Sequence, residues 1–168
     1  LSAMGAYAIS QGLNVVHYTL ELNEAYVGLR YDSIFSGVES QNLKYHKEEV
    51  MEKLFNLKGN LTIKYYPTRA CTVNTLSAHL KKVTTFGKKV DMVLVDYADI
   101  MRDVGKAQEM RHALGNIYED LRGMAGELQV PVWTASQANR SALDEDVIEA
   151  SKVAESYAKV MTADFVMS

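Results

Sequence analysis

Residues 92–96 read Met-Val-Leu-Val-Asp, four consecutive apolar side chains followed by one carboxylate. Two other hydrophobic runs also break off at one polar side chain, since residues 15–20 precede Glu21 and residues 130–136 precede Gln137. Short apolar runs of this kind are typical of buried strands. In an open parallel α/β sheet the ligand crevice lies beyond the carboxyl ends of the strands. The three runs therefore predict a site at one sheet edge, built from two carboxylates and an amide.

Helical patterns alternate with these strands and with a fourth predicted strand at residues 61–66. The predicted helices cover residues 1–11, 23–37, 44–57 and 73–87, a long helix whose apolar face runs from Leu114 to Leu128, and a last helix at 150–161. Strands that alternate with helices of this length predict βαβ units and a parallel sheet covered on both faces. Without a repeat or a linker, residues 1–168 are predicted to form a single α/β domain.

The composition is that of a globular protein of one domain. A chain of 168 residues with 48% hydrophobic and 23% charged residues is neither disordered nor membrane-spanning by composition. No apolar stretch reaches the roughly 18 to 20 residues that cross a bilayer. The net charge of −3 gives no global attraction to nucleic acid, so any such contact must come from local basic loops. The single Cys71 fits a reducing compartment, and we expect a cytoplasmic protein.

Each of the three strand-end residues has a chemical interpretation and a simpler one. Asp96 could hold Mg²⁺ beside a triphosphate, or it could cap a turn. Glu21 could orient or deprotonate an attacking water, or it could be an exposed acid. Gln137 could hydrogen-bond a γ-phosphate, or its amide could satisfy loop backbone. Their joint occurrence after three separate strands favours a nucleotide-hydrolysing site.

Several stretches resemble, in order, successive motifs of the RecA-type ATPase domain of DnaB-like replicative helicases. They are Thr19-Leu20-Glu21-Leu22, residues 91–101 (Asp-Met-Val-Leu-Val-Asp-Tyr-Ala-Asp-Ile-Met), residues 121–132 (Leu-Arg-Gly-Met-Ala-Gly-Glu-Leu-Gln-Val-Pro-Val), residues 136–141 (Ser-Gln-Ala-Asn-Arg-Ser), and Ala154-Glu155-Ser156 with residues 163–167. The similarity spans nearly the whole chain.

The resemblance implies a RecA-like P-loop NTPase fold, a three-layer sandwich with a mostly parallel central sheet that is incomplete at both ends. It implies that Glu21 is the catalytic glutamate, Asp96 the Walker B aspartate at Mg²⁺, and Gln137 the sensor of the γ-phosphate. The implied cofactors are ATP and Mg²⁺. The implied partners are single-stranded DNA, identical subunits of a homo-hexamer, and a primase or loader.

The resemblance also implies a DNA-binding role for the loops after the Asp96 strand and after Gln137. Their basic residues are Arg102, Lys106, Arg111 and Arg140, of which Arg140 would couple the sensor to DNA. The alternative is a pair of solvated polar loops, because nearby acids at positions 103 and 144–146 cancel much of the positive field.

One motif of the family is missing from the sequence. The phosphate-binding pattern G-x-x-x-x-G-K-[ST] does not occur, since Gly87-Lys88 and Gly105-Lys106 lack both the earlier glycine and the following hydroxyl residue. In the family this Walker A loop would lie just before Leu1, and the arginine finger beyond Ser168. We therefore expect the chain to be truncated before Leu1, and by itself to bind ATP poorly and to hydrolyse it negligibly.

Two alternatives stay open at this point. A RecA-like or KaiC-like recombination or regulatory ATPase would share the fold and both carboxylates. Residues 136–140, Ser-Gln-Ala-Asn-Arg, favour the helicase, because recombinases more often have Asn before the Gln. A non-catalytic assembly module would keep the sheet without the phosphate loop.

Overall fold

The computed structural model describes residues 1–105, 110–137 and 158–167. Its helices and strands follow in the order α1 (Ser2–Ser10), β1 (Val15–Thr19), α2 (Glu24–Ser36), α3 (Lys47–Phe55), β2 (Leu61–Tyr65), α4 (Val73–Thr85), β3 (Met92–Asp96), α5 (Met110–Leu128), β4 (Val132–Thr134) and α6 (Ala158–Thr162). Short 3₁₀ turns lie at Leu43–Tyr45 and Ala98–Ile100. The predicted alternation of strands and helices is confirmed.

The four described strands form one parallel sheet in the order β2-β1-β3-β4. Thr19 at the end of β1 pairs with Asp96 at the end of β3, and Val95 pairs with Thr134 at the end of β4. This register brings the carboxyl ends of three neighbouring strands to one level. The residues that follow them share a single sheet edge.

Helices cover both faces of the sheet. Helices α1 and α2 pack on one face, where Val15 and Leu94 point. Helices α4 and α5 pack on the other face, against Val16, Tyr18 and Val93. The alternation of neighbouring residues between the two cores follows from the two-residue period of a strand. The predicted three-layer arrangement is confirmed.

The first helix runs antiparallel to the sheet. A short connection at residues 11–14, with Gly12 at φ 88°, joins the end of α1 to the start of β1. The end of the helix thus lies at the amino edge of the sheet, and its beginning at the carboxyl edge. A side chain at Gly5 would collide with the Tyr31 hydroxyl and with Leu94, so glycine lets α1 lie close to its neighbours.

Local signals place α2 as predicted, whereas the start of α3 differs. The side chain of Asn23 accepts from Tyr26 N at 3.1 Å, and α2 ends at Gly37 in the left-handed conformation. Helix α3 was predicted from residue 44, which was wrong by three residues because the chain first makes the 3₁₀ turn.

Strand β4 is shorter than the predicted strand at residues 130–136. Pro131 has no N–H to donate to a strand ladder, so β4 starts after it. After Thr134 the backbone leaves the ladder, which puts Gln137 three residues beyond the strand end.

Helix α5 has 19 residues and carries the apolar face that the sequence predicted, with Leu114, Ile117 and Leu121 buried. Of the predicted last helix only its end is described, as α6, and residues 150–157 lie outside the described residues. No helix in the described ranges combines the length and the apolarity needed to cross a bilayer.

Candidate active site

The turn after β1 exposes Glu21 at the carboxyl edge of the sheet. The Thr19 hydroxyl donates to Leu22 O at 2.6 Å and accepts from Leu22 N at 3.2 Å, which closes a tight turn around the two residues between them. Leu20 N donates to Asp96 O at 2.9 Å, so this turn is held against the end of β3. Among the described residues Glu21 makes no ion pair, and its side chain faces solvent.

Asp96 is the last residue of β3 and has a partly exposed side chain, with 28% of its surface accessible. Its nearest cationic candidate among the described residues is His17, whose Nε2 lies 3.9 Å from Asp96 Oδ2. The remaining capacity of the carboxylate to accept hydrogen bonds or to bind a cation therefore faces the sheet edge.

His17 is a fully buried imidazole in the middle of β1. Burial lowers the pKa of His17 to about 4, and the opposing influence of the Asp96 charge does not offset it, so the ring is neutral at pH 7. His17 Nδ1 lies 2.9 Å from the Tyr31 hydroxyl, whereas Nε2 has no hydrogen-bond partner among the described residues. A neutral ring with the proton on Nε2 would direct an N–H towards Asp96 and accept from Tyr31.

Gln137 reaches the same edge from β4. Its Nε2 donates to the Tyr97 hydroxyl at 2.9 Å, and Tyr97 directly follows Asp96. Burial raises the pKa of Tyr97, and the negative charges of Glu21, Asp99 and Asp96 raise it further. The Tyr97 phenol thus lies within the field of the predicted carboxylates and touches the predicted sensor.

Thr134 ties the end of β4 to the loop after Asp96. Its hydroxyl donates to Val95 O at 2.8 Å and accepts from Ala98 N at 2.9 Å. These two bonds continue the contact between the strands beyond their last ladder pair.

A buried ion pair lies next to Gln137. Lys159 Nζ is 2.8 Å from Asp99 Oδ2, and the side chains of Lys159 and Asp99 are 2% and 12% exposed. Asp99 Oδ1 accepts from the Tyr118 hydroxyl at 2.7 Å, and Oδ2 also accepts from Ser136 Oγ at 3.1 Å and from Gln137 N at 3.4 Å. One carboxylate therefore joins α5, α6 and the segment after β4.

The four predicted DNA-binding residues are not assembled by the described structure. Arg102 is exposed, and its backbone N donates to Cys71 O at 2.9 Å. Arg111 lies in the first turn of α5, whereas Lys106 and Arg140 lie outside the described residues. Their joint role stays a prediction.

Sequence reasoning missed the residues around the three predicted ones. The signal for His17 was present, because a histidine interrupts an otherwise apolar strand. Asp99 lies in one of the family motifs, yet nothing in the sequence indicates that Lys159, 60 positions away, is its partner. Cys71 has no part in this site, since it is buried and burial raises the pKa of its thiol to about 12.

The sequence matches a known family over almost its whole length. The family model of the DnaB-like helicase C terminal domain matches residues 1–167. The DnaB-like replicative helicase of Enterobacteria phage T4 is 26% identical over 182 residues, covering 100% of this chain and 38% of that protein. The replicative DNA helicase DnaB of Helicobacter pylori strain 26695 is 22% identical over 144 residues, covering 83% of this chain and 30% of that protein. The chain thus spans less than two fifths of the length of these curated relatives.

Solved structures share the fold. One solved ATPase domain superposes with a TM-score of 0.78 at 20% identity, covering 97% of this chain and 62% of that one. A DnaB-like replicative helicase, solved to show its interactions with primase, superposes with a TM-score of 0.73 at 21% identity, covering 95% of this chain and 42% of that one. Both superpositions confirm the predicted RecA-like fold class.

Proposed function

Because the chain belongs to the DnaB-like helicase C-terminal domain family, we propose that it is the part of a replicative helicase that hydrolyses ATP to drive translocation on single-stranded DNA and unwinding of the duplex. The relatives that carry this domain are replicative DNA helicases. The proposal for this chain rests on its own residues at the carboxyl edge of the sheet.

The observation that supports it most is the placement of Glu21, Asp96 and Gln137. They follow three strands that are adjacent and parallel, and Tyr97 contacts Gln137 within the field of both carboxylates.

Asp96 is the residue that would hold Mg²⁺. Mg²⁺ prefers oxygen ligands and keeps several waters, so one partly exposed carboxylate at a solvent-facing edge fits it. Such a bound ion would neutralise charge on the phosphate oxygens of ATP. His17 is uncharged and lies behind Asp96, so it would not compete with the metal through a positive charge.

Glu21 would activate the attacking water, and Gln137 would contact the γ-phosphate. Glu21 is exposed and free of ion pairs among the described residues, so its oxygens are available to accept a proton or orient a water. The Gln137 amide nitrogen carries two hydrogens and uses one for Tyr97, which leaves the other for a phosphate oxygen.

The proposal also includes the binding partners, which are single-stranded DNA, identical subunits and a primase or loader. Arg102, Lys106, Arg111 and Arg140 would contact the phosphates of single-stranded DNA in a cytoplasmic homo-hexamer, and a primase or loader would bind the complete protein. For one structural neighbour, a DnaB-like replicative helicase, interactions with primase are described. The recombinase alternative is not favoured, since the family and the relatives are helicases.

The test is ATP hydrolysis by the complete chain that contains these residues, with and without single-stranded DNA, together with unwinding of a forked duplex. We expect turnover that DNA stimulates and unwinding that requires ATP. A folded protein that neither binds nor hydrolyses ATP would instead support the non-catalytic assembly module.

A further inference from the structure

The segment that carries Gln137 lacks the support that a strand ladder would give. Strand β4 ends at Thr134, so Gln137 lies beyond the last backbone pairing of the sheet. Its backbone and its neighbour Ser136 are instead held by the side chain of Asp99. The position of Gln137 therefore depends on how firmly Asp99 itself is fixed.

Asp99 is fixed by groups from two helices. The Tyr118 hydroxyl of α5 donates to Oδ1 at 2.7 Å, and Lys159 Nζ of α6 donates to Oδ2 at 2.8 Å. Lys159 Nζ also donates to Ser136 Oγ at 3.2 Å, so it touches both the carboxylate and the segment that the carboxylate holds. A lysine with only 2% of its side chain exposed needs such partners, because a buried charge without them is strongly unfavourable.

We propose that Asp99 and Lys159 are positioning residues for ATP hydrolysis. Together they hold the backbone of Ser136 and Gln137 at the same sheet edge as Asp96. The Gln137 side-chain amide is then in place when the nucleotide is bound. This inference rests on the proposed function, and it concerns how the sensor is supported and not what it binds.

The pair lies close to the proposed site, and its polar atoms are bound to protein groups. Asp99 follows Asp96 by three residues, and Thr134 fixes the connection through its bonds to Val95 and Ala98. The oxygens of Asp99 are taken up by four donors, which belong to Tyr118, Lys159, Ser136 and Gln137. The pair acts on catalysis through Gln137, since small displacements of a positioned group can cost a large part of the rate.

The decisive variant neutralises both charges at once. Asp99→Asn with Lys159→Met removes the ion pair without leaving either charge buried alone. In the complete chain we expect kcat for ATP at saturating single-stranded DNA to fall by about tenfold or more, while the dissociation constant of a fluorescent ATP analogue with Mg²⁺ changes by less than about threefold.

A matched control removes another ion pair that ties α5 to the chain after α6. Arg122 Nη2 lies 2.6 Å from Asp164 Oδ1 on the surface, and neither residue contacts Ser136 or Gln137 in the described structure. Arg122→Met with Asp164→Asn should leave kcat within about twofold of wild type. An equal decrease of kcat in both double variants would assign the effect to general loosening of α6 and overturn the proposal.

A second variant keeps the inference testable if the double variant fails to fold. Ser136→Ala deletes one hydroxyl that donates to Asp99 and should lower kcat by about threefold with unchanged nucleotide affinity. Wild-type kcat in the double variant, or in Ser136→Ala where only that protein folds, would overturn the inference. A wild-type chain that hydrolyses no ATP would overturn the proposed function as well, which separates the two failures.

Discussion

At the scale of single residues, the carboxylates of Glu21 and Asp96 differ in their surroundings. Glu21 is exposed beyond β1, whereas Asp96 ends β3 and has the neutral His17 behind it. An exposed carboxylate can contact an attacking water, and a partly exposed carboxylate at the end of a strand can take one position at a metal ion. The division of roles proposed for them follows from this difference.

Replacing Glu21 tests the first role. Glu21→Gln keeps the size of the side chain but cannot take a proton, so we expect turnover to fall about 10²-fold or more while ATP binding is retained. The measurement is steady-state hydrolysis by the complete chain together with titration of a fluorescent ATP analogue. Glu39→Gln, on an exposed loop, is the control and should have wild-type turnover. Turnover at the wild-type rate in Glu21→Gln would remove Glu21 from the mechanism.

The buried His17 predicts a pH dependence of stability. The pKa of His17 is about 4 in the folded protein and 6.5 for an exposed ring, so the unfolded chain binds the proton first as the pH falls. The contribution of the neutral ring is complete above pH 6.5 and is lost as the pH falls towards 4. The linkage amounts to about 3 kcal/mol of unfolding free energy.

His17→Gln isolates this contribution, because an amide does not titrate. We expect the decrease of stability from about pH 7 to about pH 4, measured by urea unfolding, to be smaller in His17→Gln than in wild type by up to about 3 kcal/mol. Parallel pH profiles for the two proteins would contradict the burial of an uncharged histidine.

At the scale of elements, the connections at the amino edge of the sheet are tightly packed. A side chain at Gly59 would meet the carbonyl oxygens of Leu13 and Ile9, and Gly59 N donates to Ile9 O at 3.1 Å. The loop before β2 therefore lies directly on the connection between α1 and β1. Only a residue without Cβ fits between them.

Two glycine substitutions test this packing. Gly59→Ala should destabilise the fold by about 1 to 3 kcal/mol, because backbone atoms must move to admit the methyl group. Gly123→Ala lies on the exposed face of α5, where the added Cβ meets no neighbour, and should stabilise by about 0.5 to 1 kcal/mol. Equal changes in the free energy of unfolding would show that the close approach at Gly59 is wrong.

The basic loops predict a salt effect on DNA binding. Lys106→Ala with Arg140→Ala should lower the slope of log K against log salt concentration for single-stranded DNA by about 0.7 for each phosphate that is no longer neutralised. Lys88→Ala, in the exposed connection between α4 and β3, is the matched control and should keep the slope. An unchanged slope in the double variant would assign both residues to solvated loops.

Elements could be predicted where their signals are local. Asn23 and Gly37 bound α2 because a side-chain cap and a left-handed glycine act within one turn. The capping box that starts α4 was not found, because Thr72 and Thr75 form it without the usual acid or amide at the third position. The end of β4 depends on contacts of Thr134 with another strand, which no local pattern contains.

At the scale of the whole molecule, the parallel sheet explains why the sequence could predict that three polar residues lie at one edge. Residues at the ends of buried parallel strands must meet at that edge, so the placement of Glu21, Asp96 and Gln137 there follows from the pattern, while their roles stay a proposal. Asp99 and Lys159 meet only because α6 packs beside α5, and that depends on tertiary contacts. In our proposal the predicted residues perform the chemistry, and Asp99 and Lys159 hold the segment that carries Gln137.

The central claim is that Glu21, Asp96 and Gln137 surround one nucleotide. The most direct measurement is a structure of the complete chain with Mg²⁺ and a non-hydrolysable ATP analogue. We expect the metal beside Asp96, a γ-phosphate oxygen within about 3 Å of the Gln137 amide nitrogen, and a water between Glu21 and the γ-phosphorus. A triphosphate bound away from this sheet edge, with the three side chains contacting neither it nor its metal, would contradict the claim.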